Sequence, residues 1–328
     1  MSNTIERYEG NPVIRAGDIP FDCVRCFNPA AEKYEGKYVL LVRVIGSDRS
    51  ESVALATSDD GITFDIAPAP ILVPGPGDQG RLNDPRLTRI GDTYYVCYCS
   101  DPKSGITIGI LATKDFKTFE PIYRSEPDNR NAVLFPEKID GKFVRLDRPF
   151  TRWYCLDRAY DIWLSRSPDL RYWGDHQLLL SYSDVPWGNN KIGPGPQPIR
   201  TEKGWLVIYH GAEYPDGTDT AWKKTYRAGV MLLDLDDPST ILARPDAPLL
   251  EPETDYETDP EFRPHVIFPT GTVVEDDGSI KLYYGAADKT VALALTSKEQ
   301  LLDFCLNPPE YEHPRKHADF RPPLSRHA

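Results

Sequence analysis

Seven polar side chains stand at related places in this sequence. Each place is counted from a glycine that sits between two apolar, aromatic-rich stretches. Asn28 and Asn83 lie eight residues before Gly36 and Gly91, and Asp84 follows at once. Arg43 and Arg148 lie seven residues after Gly36 and Gly141, His210 lies six after Gly204, and Asp288 lies ten after Gly278. In a hairpin the start of the first strand and the end of the second lie at one end, so these groups are expected to share a rim. Two carboxylates, two arginines, two asparagines and a histidine then converge from five units. Arg130 and Asn131, read as a loop before the third hairpin, and Lys191, in the insertion GNNKIGPG, extend the basic set. Guanidinium groups bind oxyanions through paired hydrogen bonds and lysine adds a point charge. The chemistry indicated is an anion held beside a carboxyl group.

The elements that must position these groups are five copies of one hairpin. They read NPAAEKYEGKYVLLVR from Asn28, NDPRLTRIGDTYYVCYCS from Asn83, FPEKIDGKFVRLDRP from Phe135, PQPIRTEKGWLVIYHG from Pro196 and FPTGTVVEDDGSIKLYYGAAD from Phe268. Their turn glycines are 55, 50, 63 and 74 residues apart. Repeats of about 50 residues with several strands each are propeller blades, which bury their faces only against neighbours. A second pattern follows four of the hairpins: ALATSDDGITF, ILATKDFKTF, IWLSRSPDLRYW and ALALTSKEQLLDF, each a strand running into a Ser/Thr–x–Asp turn or a variant of it. GVMLLDLDDPSTI is a looser fourth-blade version. The alternation favours strands over helices. The fold expected is all-β, a five-bladed β-propeller with a central active-site channel. Two unrelated β-sandwiches in tandem would not give the five-fold recurrence.

Residues 1–305 read as one catalytic propeller, with 1–27 supplying a strand that closes the ring. The proline-rich, charged segment 306–328 reads as an extended tail. Two insertions, SYSDVPWGNNKIGPG and EYPDGTDTAWKKTYR, lie between the third and fifth hairpins and read as functional loops. The chain has 328 residues, 31 prolines and a formal net charge of −12, which argues against nucleic acid and anionic membranes as partners. No stretch is apolar and long enough to span a bilayer, and MSNTIERYEG lacks the apolar core of a secretion signal, so a cytoplasmic location is expected. Cys23 and Cys26 form a C-x-x-C with no second copy to complete a zinc set, and Cys97 and Cys99 share one strand face. No metal site and no cofactor is expected.

Taken singly, each candidate has a plainer reading. Arg43 and Arg148 could cover neighbouring blades with their stems, Asp84 could cap a turn before Pro85, His210 could be a satisfied core residue, and Asn28 and Asn83 could be turn formers. Convergence by repeat position favours the functional reading of the set.

The chain also resembles glycoside hydrolase family 130, the β-mannoside phosphorylases, from about residue 11 to about residue 301. The similarity is carried by NPVI, FNPAA, LVRV, SDDGITF, DPRLTRIGDTYY, NAVLFPEKIDGKFVRLDRP, KIGPGPQPI, GWLVIYHG and YRAGVMLLDLDDPS, in that order. The resemblance implies attack of inorganic phosphate, a co-substrate, on the anomeric carbon of a terminal β-mannosyl residue, in one inverting step that yields α-mannose 1-phosphate. It implies Asp84 as the acid, working through the 3-hydroxyl of the mannosyl ring. It places Arg130, Asn131, Arg148, Lys191, His210 and Tyr226 on the phosphate side, and Asn28, Arg43 and Asp288 on the mannosyl side. Asn83 departs from the acidic or aromatic residue the family pattern leads one to expect; it borders the sugar site and leaves linkage and acceptor open. Partners implied are a mannoside and phosphate, with a homo-oligomer as a further option. Two other readings remain at this stage: a family member that hydrolyses β-mannosides with water, and a non-catalytic glycan-binding propeller.

Overall fold

A computed structural model describes residues 4–75, 81–101, 103–153, 156–214 and 224–312. It contains five antiparallel sheets of four or five strands and one added hairpin. Blade 1 runs Arg25–Tyr34, Lys37–Ile45, Glu51–Ser58 and Asp65–Ile66; blade 2 runs Asn83–Ile90, Thr93–Ser100, Thr107–Thr113 and Glu120–Arg124. Blade 3 runs Asn129–Leu134, Phe143–Pro149, Ile162–Ser167 and Gly174–Leu180. In blade 4 the innermost position is shared by Lys191–Pro194 and Ile199–Arg200, followed by Trp205–Glu213, Thr225–Leu233 and Ile241–Ala243. Blade 5 has Ile267–Val274, Ser279–Ala286 and Thr290–Ser297. Successive innermost strands, or their neighbours, touch around the ring, and blade 5 meets blade 1.

The sequences explain this packing. A blade inside a ring is covered on both faces, so its strands need apolar residues at consecutive positions and not only at alternate ones. Leu40 and Val42 pack into the cluster between blades 1 and 5, while Val39 and Leu41 pack between blades 1 and 2. Leu206 and Ile208 face blade 5; Trp205, Val207 and Tyr209 face blade 3. Each of the five blade interfaces has one such cluster. The Ser/Thr–x–Asp turns form as read: Asp60 Oδ1 accepts from the Ile62 and Thr63 amides at 2.7 and 2.8 Å, and Asp115 and Asp169 do the same in blades 2 and 3.

The fifth copy differs. The sequence predicts a variant of the Ser/Thr–x–Asp turn after Ser297, but Lys298–Leu306 is a helix capped by Ser297, which accepts from the Gln300 amide. Leu301, Phe304 and Cys305 lie on its buried side, and their three- and four-residue spacings are helical. The outer strand of blade 5 is instead Glu6–Arg7, paired antiparallel to Thr290–Ser297. Arg7 continues the closure by donating from Nε and Nη2 to the carboxylate of buried Glu257 at 2.8 and 3.1 Å. Most of the insertion EYPDGTDTAWKKTYR (215–223), Cys155 and the tail from residue 313 lie outside the described residues.

Candidate active site

Each innermost strand of blades 1, 2 and 3 carries one extra residue opposite its neighbour. The pairing jumps from Phe27↔Arg43 to Ala30↔Leu41, from Asn83↔Cys99 to Arg86↔Cys97, and from Arg130↔Arg148 to Val133↔Leu146. The residue that opens each bulge is left-handed: Asn28 at φ 50°, Asp84 at φ 50° and Asn131 at φ 60°. Asparagine and aspartate tolerate this region better than other side chains with a Cβ, and bulges beside active sites re-aim side chains. The three residues are therefore equivalent, and all three line one cavity of about 650 Å³ at the ring centre.

This corrects the counting from glycines. The counterpart of Asn28 is Asp84, not Asn83. The turn of blade 1 is Glu35-Gly36, with glycine second, whereas that of blade 2 is Gly91-Asp92, with glycine first. The reference glycine thus shifts by one residue between blades. Arg130 and Asn131 are on the innermost strand of blade 3 and Lys191 on that of blade 4, not in loops. Bulged, polar strands lack the alternation by which a strand is read.

Asp84 is buried. Its Oδ1 accepts from Asn28 Nδ2 at 2.8 Å and Arg43 Nη1 at 2.9 Å, and its Oδ2 lies 3.4 Å from Arg130 Nη2. Burial alone would raise its pKa, but Arg43, Arg130 and Arg86 with Asn28 hold it well below the usual carboxylate range. Glu51, which was not singled out from the sequence, grips Arg43 from behind through two bonds of 3.0 and 3.1 Å. Arg86, passed over in the DPR triplet, donates to the Asp84 carbonyl at 2.7 Å and to the Gly195 carbonyl of blade 4 at 2.8 Å, so it braces the bulge across the ring. Gly285 makes room for Asn28: a Cβ there would lie 1.8 Å from Asn28 Oδ1.

The second half of the cavity is cationic. Arg148 is buried and, among the described residues, donates to neutral acceptors, His210 Nε2 at 3.2 Å and Asn131 Oδ1 at 3.5 Å. Since guanidinium cannot accept, His210 Nε2 is the acceptor and the ring proton sits on Nδ1. Burial, followed by Arg148, drives the His210 pKa well down, so the ring is neutral. His210 is fully buried and does not line the cavity; it stands behind Arg148, with Phe268 against its ring at 4.2 Å. Burial, then Arg130, lowers Arg148 to about 10. Burial, then Arg148, pushes Lys191 well below its ordinary value. Lys191 Nζ lies 5.2 Å from the ring centre of Tyr226, which also lines the cavity. Among the described residues no carboxylate pairs with Arg148 or Lys191. Among the described residues, eight basic side chains and four carboxylates line the cavity, within a chain of net charge −12. Asp288, at φ 51°, is paired to Arg263 at 3.1 Å. Asn83 is buried at the cavity wall with Nδ2 unpartnered. Among the described residues no group of His, Cys, Asp and Glu is assembled for a metal.

A model of β-1,4-mannooligosaccharide phosphorylases, glycoside hydrolase family 130, matches residues 2–307. The chain belongs to glycoside hydrolase family 130. Among relatives of this family, a β-1,4-mannooligosaccharide phosphorylase of Ruminococcus albus is 35% identical over 92% of this chain and 91% of its own length. A β-1,2-mannobiose phosphorylase of Listeria innocua is 32% identical over 88% of this chain and 94% of its own. The solved structure of a Listeria innocua β-1,2-mannobiose phosphorylase, in complex with β-1,2-mannobiose, superposes with a TM-score of 0.83 at 30% identity, covering 94% of this chain and all of that one. The family's five-bladed ring is thus the architecture found here.

Proposed function

We propose that this protein is an inverting phosphorylase that cleaves a terminal β-mannosyl linkage, β-1,2 or β-1,4, with inorganic phosphate to give α-mannose 1-phosphate, reversibly. The carrying observation is the pair Arg148 and Lys191, two adjoining cations without a carboxylate, set beside an Asp84 that is strapped by Arg43, Arg130 and Asn28. Such a cradle suits a dianion held in line with the bond to be broken, where positioning and charge supply the catalysis. Arg130 reaches both Asp84 and Asn131, so it joins the acid to the anion side. An anion arriving there draws positive charge away from Asp84 and raises its proton affinity as the complex assembles. Asp84 then serves as the acid for the leaving oxygen, by way of the mannosyl 3-hydroxyl. The phosphorylase names of the relatives support the same reading.

Hydrolysis by water would call for a second carboxylate as base. Glu51, Asp101 and Asp288 in the cavity wall are each ion-paired to an arginine, at 3.0, 3.5 and 3.1 Å. That favours phosphorolysis. The reading requires phosphate as co-substrate and no cofactor, and it places the enzyme in the cytoplasm, where phosphate is at hand. Among the described residues no helix is long and apolar enough to cross a membrane. The test is incubation with β-1,2- and β-1,4-mannobiose, with and without phosphate. Phosphate-dependent mannose 1-phosphate is expected; free mannose without phosphate dependence would overturn the reading.

A further inference from the structure

Blade 1 and the segment leading into blade 5 supply further basic side chains to the cavity. Arg25 lines the cavity two residues before Phe27, and its guanidinium carbon lies 3.5 Å over the ring centre of Phe262. Its Nη1 is buried without a hydrogen-bond partner. The carboxylates whose fields reach it are Asp288 and Glu51, and both are already engaged, with Arg263 at 3.1 Å and Arg43 at 3.0 Å. Arg49, exposed at the same mouth, also has no carboxylate partner among the described residues. Burial lowers the pKa of Arg25, as expected for a guanidinium with no counter-ion in contact.

The charge count leads the same way. The cavity has eight basic side chains against four carboxylates, and a bound phosphate carries at most two negative charges. Among the described residues two positive charges remain without a counterpart. Sugar hydroxyls need acceptors as well as donors, whereas Arg25 and Arg49 offer donors only. The lining also has an acceptor, Asp101 Oδ1, and a donor, Asn83 Nδ2, both buried and unpartnered, which suit a sugar hydroxyl.

We infer that the acceptor side of this site takes a sugar bearing an anionic group, a carboxylate or a phosphate ester, held by Arg25 on its Phe262 platform. The inference rests on the phosphorylase reading. The test runs the full-length protein in the synthetic direction, with α-mannose 1-phosphate and a panel of acceptors: glucose and mannose, their uronic acids and their 6-phosphates. Phosphate release is measured. An anionic acceptor is expected to exceed its neutral parent in kcat/KM by about 10-fold to 150-fold, the range of one charge-assisted hydrogen bond. In Arg25→Gln that ratio should collapse towards one. Because both acceptors are measured on one preparation, partial misfolding cancels from the ratio. Uronic acids in the lead would identify a carboxylate, and 6-phosphates a phosphate ester; either upholds the inference. Neutral acceptors equal or better, or an unchanged ratio in Arg25→Gln, would overturn it while leaving the phosphorylase reading standing. If no acceptor in the panel releases phosphate, both readings fall.

Discussion

Replacing Arg148 by methionine should stabilise the free protein and weaken its response to phosphate. The two effects have one origin. Arg148 is 3% exposed, its Nε is unpartnered, and its other contacts are two neutral acceptors at 3.2 and 3.5 Å. The nearest charges act against it: burial and then Arg130 bring its pKa down from 12.5 to about 10. A base with a lowered folded pKa costs stability at every pH below that value, and the cost fades as pH rises from about 10 towards 12.5. Methionine keeps the apolar stem and removes the charge. Exchanging buried charged groups for apolar ones of similar volume is often neutral or stabilising by about 1–4 kcal/mol, and each kcal/mol moves Tm by roughly 2–4 °C in a domain of some two hundred residues.

Phosphate should reverse the ranking. A charge-assisted hydrogen bond is worth about 1.5–3 kcal/mol, so the variant should bind phosphate about 10-fold to 150-fold more weakly. At phosphate a hundred times the wild-type Kd, the wild type gains about 2.7 kcal/mol from binding, and a variant weakened a hundredfold gains only about 0.4 kcal/mol. Thermal unfolding of both proteins across a phosphate titration measures this directly, and the apparent phosphate constant in phosphorolysis checks it kinetically. Equal phosphate-induced shifts in the two proteins would remove Arg148 from the cradle. A sharp loss of stability in the free variant would show that its charge is compensated after all.

Three further outcomes are expected. Asp84→Asn should cut turnover of mannobiose by about 10²–10⁴, the usual worth of a general acid, with a smaller loss on an activated aryl β-mannoside; near-wild-type rates on mannobiose would reduce Asp84 to a structural residue. Lys191 has a depressed pKa, so the native state holds fewer protons than the unfolded chain and stability rises as pH climbs through the folded value towards 10.5, while the cation that phosphate needs is lost over the same window. The apparent phosphate constant should therefore worsen on the alkaline side, and Lys191→Arg, charged throughout, should flatten that limb; identical profiles would exclude Lys191. Glu257→Ala strands Arg7, Tyr284 and the Glu253 and Thr254 amides, which bond to this carboxylate at 2.8–3.1 Å, so ring closure should lose about 3–5 kcal/mol in urea unfolding, and a loss under about 1 kcal/mol would refute the latch.

Much of the architecture was legible because a ring forces its chemistry onto the sequence. Runs such as YVLLV and WLVIY are apolar at every position because both blade faces are covered, and the glycine turns separate them cleanly. The helix at Lys298–Leu306 escaped notice because TSKEQLLDF imitates the Ser/Thr–x–Asp pattern, and a helix this short presents barely two turns of periodicity. The site was legible as a set of residue types at one rim, but not as a geometry. Counting from turn glycines paired Asn28 with Asn83, because nothing in the count reveals whether the glycine is first or second in a two-residue turn.

What aims the side chains is the bulge, and its signal lies in the residues themselves. Asn28, Asp84 and Asn131 each follow the last regularly paired residue of an inner strand, and each is of a type that accepts a left-handed backbone. In an alternating strand, successive side chains would point to the two blade faces, towards neighbouring blades. One extra residue, placed left-handed, turns a single polar group out of that alternation and into the channel. The same device explains why the polar inner strands read as loops. A substitution of Asp84 is thus a change to a side chain that the bulge turns towards the cavity, at a backbone position that costs an ordinary residue about 1–2 kcal/mol.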